Sequence, residues 1–412
     1  MSFSIRAAFL ASVVLVLSAP AVAETLTLDQ AIARAEAATP ALRAAEAGIA
    51  AARGGLRQAD IRPNPYVTVE ADNFVGTGPY NVLGRAEVAA TYNQPIERGG
   101  KRDARVALAR REITVAEASA QVARLEQAAA VERAFHGVGI ADYALEIALS
   151  RQSIEQGMQR EALRRVRGYK DPLFVETRAA ARGAQAGIVV ASARTRLATA
   201  RAALAGFWGE SGAGLVIDTG AFNPVPAGLQ LAAADAALNE AAAQRAAAAV
   251  VVEQSRATQD FTVGGGARFL RETNDVAAVA TLTIPLGRFD RNQGAIERAQ
   301  AERERIELTA ETARLERLRR VAALSADAEA SRSLADAIVT EVYPRTAKTL
   351  AQVREGYARG GFSFRDMQDA ADAILSAQDD WLTAITRYRE LQTELNRLTG
   401  RFDPAAPQET MP

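Results

Sequence analysis

The chain has 412 residues, with 49 Lys and Arg against 49 Asp and Glu, one His and no Cys. The balanced charge offers no basic footprint for a nucleic-acid partner, and the missing cysteines exclude disulfides, thiolate metal sites and acylation of an N-terminal cysteine. Aromatic residues make up 6 % while alanine is abundant, so each position has little apolar area to bury and long, thin helical packing is expected in place of a thick core.

Arg6, the apolar run Ala7 to Leu17 and the small residues Ala21, Val22 and Ala23 fit a secretory signal over residues 1–23. The run is short for a spanning helix, and no other stretch reaches about 18 consecutive apolar residues. A helical membrane protein is therefore not expected. After a helix leading in, Tyr66 to Asp72 alternates Val67, Val69 and Ala71 with Thr68, Glu70 and Asp72, the period-two pattern of a strand with one apolar face. A second strand is expected over about 86–94, with Val88, Ala90 and Tyr92 opposed to Glu87, Thr91 and Asn93.

From Gly100 to Asp171 there is no proline, and Val131, Phe135, Val138, Leu145 and Leu149 keep coiled-coil spacing. This predicts long helices over about 100–168 and 172–206, the first on the order of 100 Å at roughly 1.5 Å per residue. Gly137, Gly139, Gly157 and Pro344 predict interruptions in such rods. Asp171 is expected to cap the returning helix, with Pro172 at its first position.

The plan then repeats. At an offset of 190, Ala90, Thr91 and Pro95 fall on Ala280, Thr281 and Pro285, Phe174 on Phe364 and Glu176 on Asp366. The Gly-Tyr signature of Gly168 and Tyr169 recurs, after a short insertion, at Gly356 and Tyr357, and Leu204 to Gly209 matches Leu395 to Gly400. The expected organisation is a first repeat over 24–209, a Gly- and Pro-rich connector over 210–230, a second repeat over 231–400 and a tail over 401–412. In the second repeat, strands are expected over 261–269 and 276–284 and helices over 291–357 and 364–399, the last carrying the stripe Trp381, Ile385, Tyr388, Leu391, Leu395 and Leu398. Ser363 and Asp366 form a capping-box pattern before it.

Four strands of about nine residues could span a bilayer when tilted, but they cannot close a barrel alone, and open edges are not tolerated in lipid. Membrane strands would thus need several subunits in one barrel. Periodicity equally fits two surface hairpins on a soluble helical protein.

Thr27 to Ile32, Ala38-Thr39-Pro40, the run Gln94 to Arg102, its partner Ile284 to Arg288, and Gly356-Tyr357 through Asp366-Met367-Gln368-Asp369-Ala370 stand in an order that resembles the TolC-type outer-membrane efflux family across essentially the whole mature chain. The resemblance implies a mainly α fold with a small β part. Two repeats of long coiled-coil hairpins would supply four transmembrane strands per subunit, and a homotrimer would form a twelve-stranded barrel with an α-helical tunnel through the periplasm. It also implies a periplasmic adaptor, an inner-membrane pump of the resistance-nodulation-division type, contact with outer-membrane lipid and no enzymatic activity. The run Gln94 to Arg102 is most similar to the heavy-metal branch serving cobalt, zinc, cadmium or copper and silver.

By the same resemblance Asp366 and Asp369 would ring the tunnel mouth as gate and selectivity residues, with Glu176 at the matching place in the first repeat. The turns marked by Gly168, Tyr169, Gly356 and Tyr357 would dock the adaptor. Read without the resemblance, Asp366 completes a helix cap and Asp369 faces water.

Other signals point to no chemistry. His136 alone cannot build a zinc site, and beside Phe135 it reads as structural. Gly99 to Arg102 lacks phosphate-loop spacing, Gly264 to Gly266 lacks dinucleotide-loop spacing, and both read as backbone features at strand ends. No cofactor or resident metal is expected. The alternatives are a soluble periplasmic adaptor or scaffold, which would carry one helical hairpin within lipoyl-like β segments, and a channel of the same type for drugs or other small molecules.

Overall fold

The computed structural model describes residues 25–81, 83–219, 225 and 229–403. The expected export signal, part of the connector and the tail from residue 404 lie outside the described residues. The first repeat runs α1 (Leu28–Ala38), α2 (Pro40–Ala59), β1 (Tyr66–Asp72), β2 (Glu87–Ile96), α3 (Lys101–Arg167) and α4 (Leu173–Ala205). The second runs α5 (Ala233–Arg256), β3 (Phe261–Leu270), β4 (Asp275–Thr283), α6 (Gln293–Ala337), α7 (Tyr343–Arg359) and α8 (Phe364–Thr399). Among the described residues, no helix is long and apolar enough to cross a membrane.

Local chemistry sets the helix starts. Thr27 accepts from the Gln30 backbone N–H at 3.3 Å while Gln30 accepts from the Thr27 N–H at 3.0 Å, a capping box opening α1, and Pro40 stands at the start of α2, where its missing N–H costs nothing. The interruptions predicted at glycine do not occur. α3 runs unbroken for 67 residues, about 100 Å at 1.5 Å per residue, because packing holds its glycines in helical geometry. A Cβ on Gly139 would come within 2.9 Å of Thr219, and one on Gly157 within 3.2 Å of Arg354, so both serve close approach. At Pro344 the expected interruption does occur, as a change of coil and not a break in the chain's course. A single π-helical turn, Ile338–Val342, lies just before it and widens the coil where the proline ring would press on the carbonyl of Thr340.

The strands form one antiparallel sheet in the order β1-β2-β3-β4, with the two repeats meeting at β2 and β3. The register puts Val67, Tyr92, Gly265 and Ala280 in one row and Ala71, Val88, Phe269 and Val276 in another, so one face is predominantly apolar, with Gln94 its polar exception. Val67, Val69, Val276 and Leu282 on this face are all exposed. The opposite face carries Thr68, Thr91, Asn93 and Thr281. Asn93 donates to Thr68 at 3.0 Å and to Thr91 at 3.2 Å, and accepts from the Thr281 hydroxyl at 3.2 Å. This last bond crosses β3 at Gly264, which has no room for a Cβ between Asn93 and Thr281. Gly264 to Gly266 are therefore not a strand-end feature as expected; they occupy the middle of β3, where a side chain would displace the polar row.

No thick core forms. Small clusters recur along the rod, one around Leu26, Ile32, Val131, Phe135, Val138 and Leu204, another around Val321, Leu324, Tyr388, Leu391 and Leu395. The stripe on α3 drifts: Val131, Phe135 and Val138 are buried, but Leu149 is exposed and Ala148 takes the inward place, as a 3.6-residue helix departs from a strict heptad. Part of the connector is structural, since Leu26 donates to Val216 O at 2.9 Å and Asp218 donates to Leu26 O at 3.0 Å.

Candidate functional site

The rods end, away from the sheet, in two helix reversals. In the first, between α3 and α4, Tyr169 sits in the left-handed region at φ 56° and is 99 % exposed. In the second, between α7 and α8, the left-handed residue is Gly360 at φ 89°, followed by Gly361 and the exposed Phe362. The second Gly-Tyr signature is therefore not a turn. Gly356 and Tyr357 lie inside α7, one turn earlier, where Gly356 leaves space for the Phe362 ring and Tyr357 is fully buried. Burial removes Tyr357 from any docking surface.

What Tyr357 does instead is join the hairpins. Its phenol donates to the carboxylate of Asp171, its carbonyl accepts from Arg165 Nη1 at 2.8 Å, and its ring lies 4.6 Å beneath the Arg165 guanidinium. Arg165 also grips Asp171 through two bonds of 3.0 Å. Asp171 is thus not the expected N-cap of α4. Pro172 occupies that position without a side-chain bond, and the carboxylate turns to the stronger charge-assisted partners. The Arg165 bonds hold the Asp171 carboxyl below the usual range, with the Tyr357 bond adding to them. Burial pushes the Tyr357 phenol up and the Asp171 contact pushes it further, so it stays a donor.

A second clasp lies deeper. Arg182 on α4 donates to buried Glu155 on α3 at 2.9 Å and pairs with Asp372 on α8, with one bond of 3.2 Å. Asp372 first, then Glu155, hold the guanidinium strongly protonated. Arg151 reaches Asp379 at 2.6 Å one step further along the same helices. None of these residues was read from the sequence. A signal existed: Arg182 and Asp372 are 190 residues apart, the repeat offset, so the duplication places opposite charges at equivalent positions.

The acidic candidates begin the returning helices. Asp366 accepts from the Ser363 N–H at 2.8 Å and from its hydroxyl at 2.7 Å, while Ser363 accepts from the Asp366 N–H at 3.2 Å. The capping box is formed, and the Ser363 hydroxyl and N–H lower the Asp366 pKa. Asp369 is exposed, with its carboxylate 3.9 Å from Arg365, and Glu176 is half-buried in the first turn of α4. A single copy does not bring the three carboxylates together. His136 packs edge-on to Phe135, 3.5 Å from buried Glu132, and no group of His, Asp or Glu able to hold a metal occurs among the described residues. Burial lowers the His136 pKa despite Glu132.

A sheet apolar on one face and polar on the other, continued by paired helical rods, has the form of a barrel-and-tunnel channel. Solved outer-membrane channels share this architecture. VceC of Vibrio cholerae matches with a TM-score of 0.75 at 19 % identity over 90 % of this chain and 96 % of its own. CusC matches at 0.72 and 16 % over 90 % and 91 %, and the open state of MtrE of Neisseria gonorrhoeae at 0.68 and 19 % over 90 % and 88 %. No family model matches the sequence. The cobalt-zinc-cadmium resistance protein CzcC of Cupriavidus metallidurans is 30 % identical over 387 residues, 91 % of this chain and 90 % of that protein. The chain belongs to the TolC-type outer-membrane efflux family and is most similar to its heavy-metal branch; it is an efflux channel of the TolC and CzcC type. The adaptor alternative falls with this, since both repeats carry a hairpin and a strand pair.

Proposed function

We propose that the protein exports heavy-metal cations as the outer-membrane duct of a tripartite pump. Three copies contribute four strands each to a twelve-stranded barrel, and their helices enclose a periplasmic tunnel. An inner-membrane pump of the resistance-nodulation-division type supplies the energy, and a periplasmic adaptor docks at the hairpin turns. The observation that carries the substrate class is the 30 % identity to a cobalt-zinc-cadmium resistance protein over nearly the whole length of both chains. The absence of a metal-holding cluster among the described residues is compatible with a duct, in which tight binding would slow release.

At the tunnel mouth, Asp366 and Asp369 of three copies, with Glu176 nearby, gather negative charge that favours cations. The first turn, with Gly168, exposed Tyr169, and exposed Leu173 and Phe174 just after it, supports an adaptor contact made largely of apolar area. Phe362 offers the corresponding surface on the second turn.

Deletion of the gene in a host stripped of other outer-membrane ducts tests the substrate class. Growth inhibition by cobalt, zinc and cadmium should increase, with little change for lipophilic drugs. The reverse pattern would assign the channel to drugs.

A further inference from the structure

We infer that His136 is a pH-sensing joint between the two repeats: a proton taken up there under acidic conditions draws Glu132 away from Asn396 and loosens the seam that holds the connector. The device lies in the packing of α3 against α8 and does not depend on which substrate passes.

Glu132 and His136 stand one turn apart on α3, opposite Asn396 and Arg389 of α8. Glu132 is fully buried; one of its oxygens accepts from the Asn396 amide at 2.6 Å, and the other finds no partner among the described residues. His136 Nε2 lies 3.5 Å from the oxygen that Asn396 holds, too far for a strong hydrogen bond, and it too lacks a partner among the described residues. Buried polar atoms left unsatisfied cost free energy, and a proton on His136 relieves this cost by turning Nε2 into a donor to the carboxylate. Such a charge-assisted bond closes to about 2.7–2.9 Å. Since one oxygen faces both neighbours, its approach to His136 lengthens the bond to Asn396.

The surrounding charges set when this happens. Arg389 on α8 and Arg401 just beyond it oppose the proton, Glu132 favours it, and Tyr143 on α3 is the other titratable group beside the same cavity. The residues packed in the adjoining core from α1 and α4, Ile32, Ala35, Leu197 and Leu204, carry no charge. Burial and the two arginines outweigh Glu132, so the proton arrives only below the ordinary histidine value of 6.5. It has a route: His136 keeps 10 % of its side chain exposed and lines a cavity of about 10 Å³, room for about one water.

Across that cavity lies the connector. Arg389 donates to Thr219 O at 2.9 Å, and the Tyr143 hydroxyl donates to Thr219 Oγ1 at 3.2 Å. Thr219 directly follows the segment in which Val216 and Asp218 bond to Leu26. A second cation beside Arg389 repels the guanidinium that holds Thr219. One proton therefore weakens the bond between α3 and α8 and the bond to the connector together.

The chain has a single histidine, so isotope-labelled histidine gives one imidazole signal to titrate in detergent micelles. Amide exchange of the same full chain, corrected for its intrinsic pH dependence, is followed from about pH 7.5 to about pH 5. Exchange over residues 132–139, 216–219 and 389–396 should rise about tenfold per pH unit between about pH 6.5 and the imidazole midpoint, while residues 356–363 at the tip keep their protection. His136→Gln should abolish the rise. Glu132→Gln keeps an acceptor for Asn396 without the charge that draws the imidazolium, and should move the rise to lower pH. No rise in the parent chain as the imidazole titrates, or the same rise in His136→Gln, would overturn the joint. Uniform acceleration along the whole chain, tips included, would overturn it as well, since that is loss of overall stability and not a local switch.

Discussion

Tyr357 donates its phenolic proton to Asp171, tying the buried face of α7 to the turn that ends α3. The two residues belong to different repeats and meet only because the hairpins pack side by side, and Arg165 closes the contact from a third direction. The clasp ties the tips of the two hairpins of one copy together.

Loss of this bond should loosen the tips. Tyr357→Phe removes a hydrogen bond to a charged acceptor, a contribution of about 1.5–3 kcal/mol. Amide exchange around residues 165–172 and 356–363 should accelerate, and conductance in planar bilayers should rise. Adding Asp171→Asn should give less than the sum of the single effects, because both act on one contact. Additive effects would show that the residues are energetically independent.

The acidic candidates separate into cap and charge. Ser363→Ala should fray the start of α8 by about 1 kcal/mol while leaving every carboxylate in place. Asp369→Asn leaves the cap intact and removes one charge per copy, so cation selectivity measured from reversal potentials should fall with thermal stability unchanged. If only the cap variant alters permeation, the carboxylates have no role in selectivity.

Gly264 tests the polar row of the barrel. Gly264→Ala should introduce a methyl group where Asn93 and Thr281 meet, an overpacking cost of about 1–3 kcal/mol. The temperature at which the oligomer dissociates on gels should drop, and Asn93→Ala in the same chain should restore part of it. No recovery would place the damage elsewhere on β3.

His136 predicts a pH dependence. Its pKa is lowered on folding by burial, with Arg389 and Arg401 opposing Glu132 in the same region. The unfolded chain therefore binds the additional proton as pH falls below about 6.5, and stability is lost through that window down to the folded pKa. The loss can reach about 1.4 kcal/mol per pH unit for one proton. Thermal unfolding followed from about pH 7.5 to about pH 5 should show this slope, and His136→Gln should flatten it.

The legible parts of the molecule were those written in short-range spacing. Alternation of Val67, Val69 and Ala71 with Thr68 and Glu70 marks β1, and Ser363 with Asp366 marks the start of α8. Both depend on residues within a few positions of one another. The duplication was legible for the same reason, since each repeat preserves its local pattern. At the tips, Gly168-Tyr169 and Gly356-Tyr357 look alike in sequence, yet Tyr169 is fully in solvent and Tyr357 fully buried.

By itself, the sequence determined the elements, their order, their repetition and the apolar face of each strand, because covalent neighbours and backbone periodicity dictate these. The tertiary structure alone decided which equivalent residue turns inward, that Asp171 serves a clasp and not a cap, and that Arg182 spans from Glu155 to Asp372. Those outcomes depend on groups brought together across as many as 192 residues of chain, where burial and charge pairing outweigh local propensity.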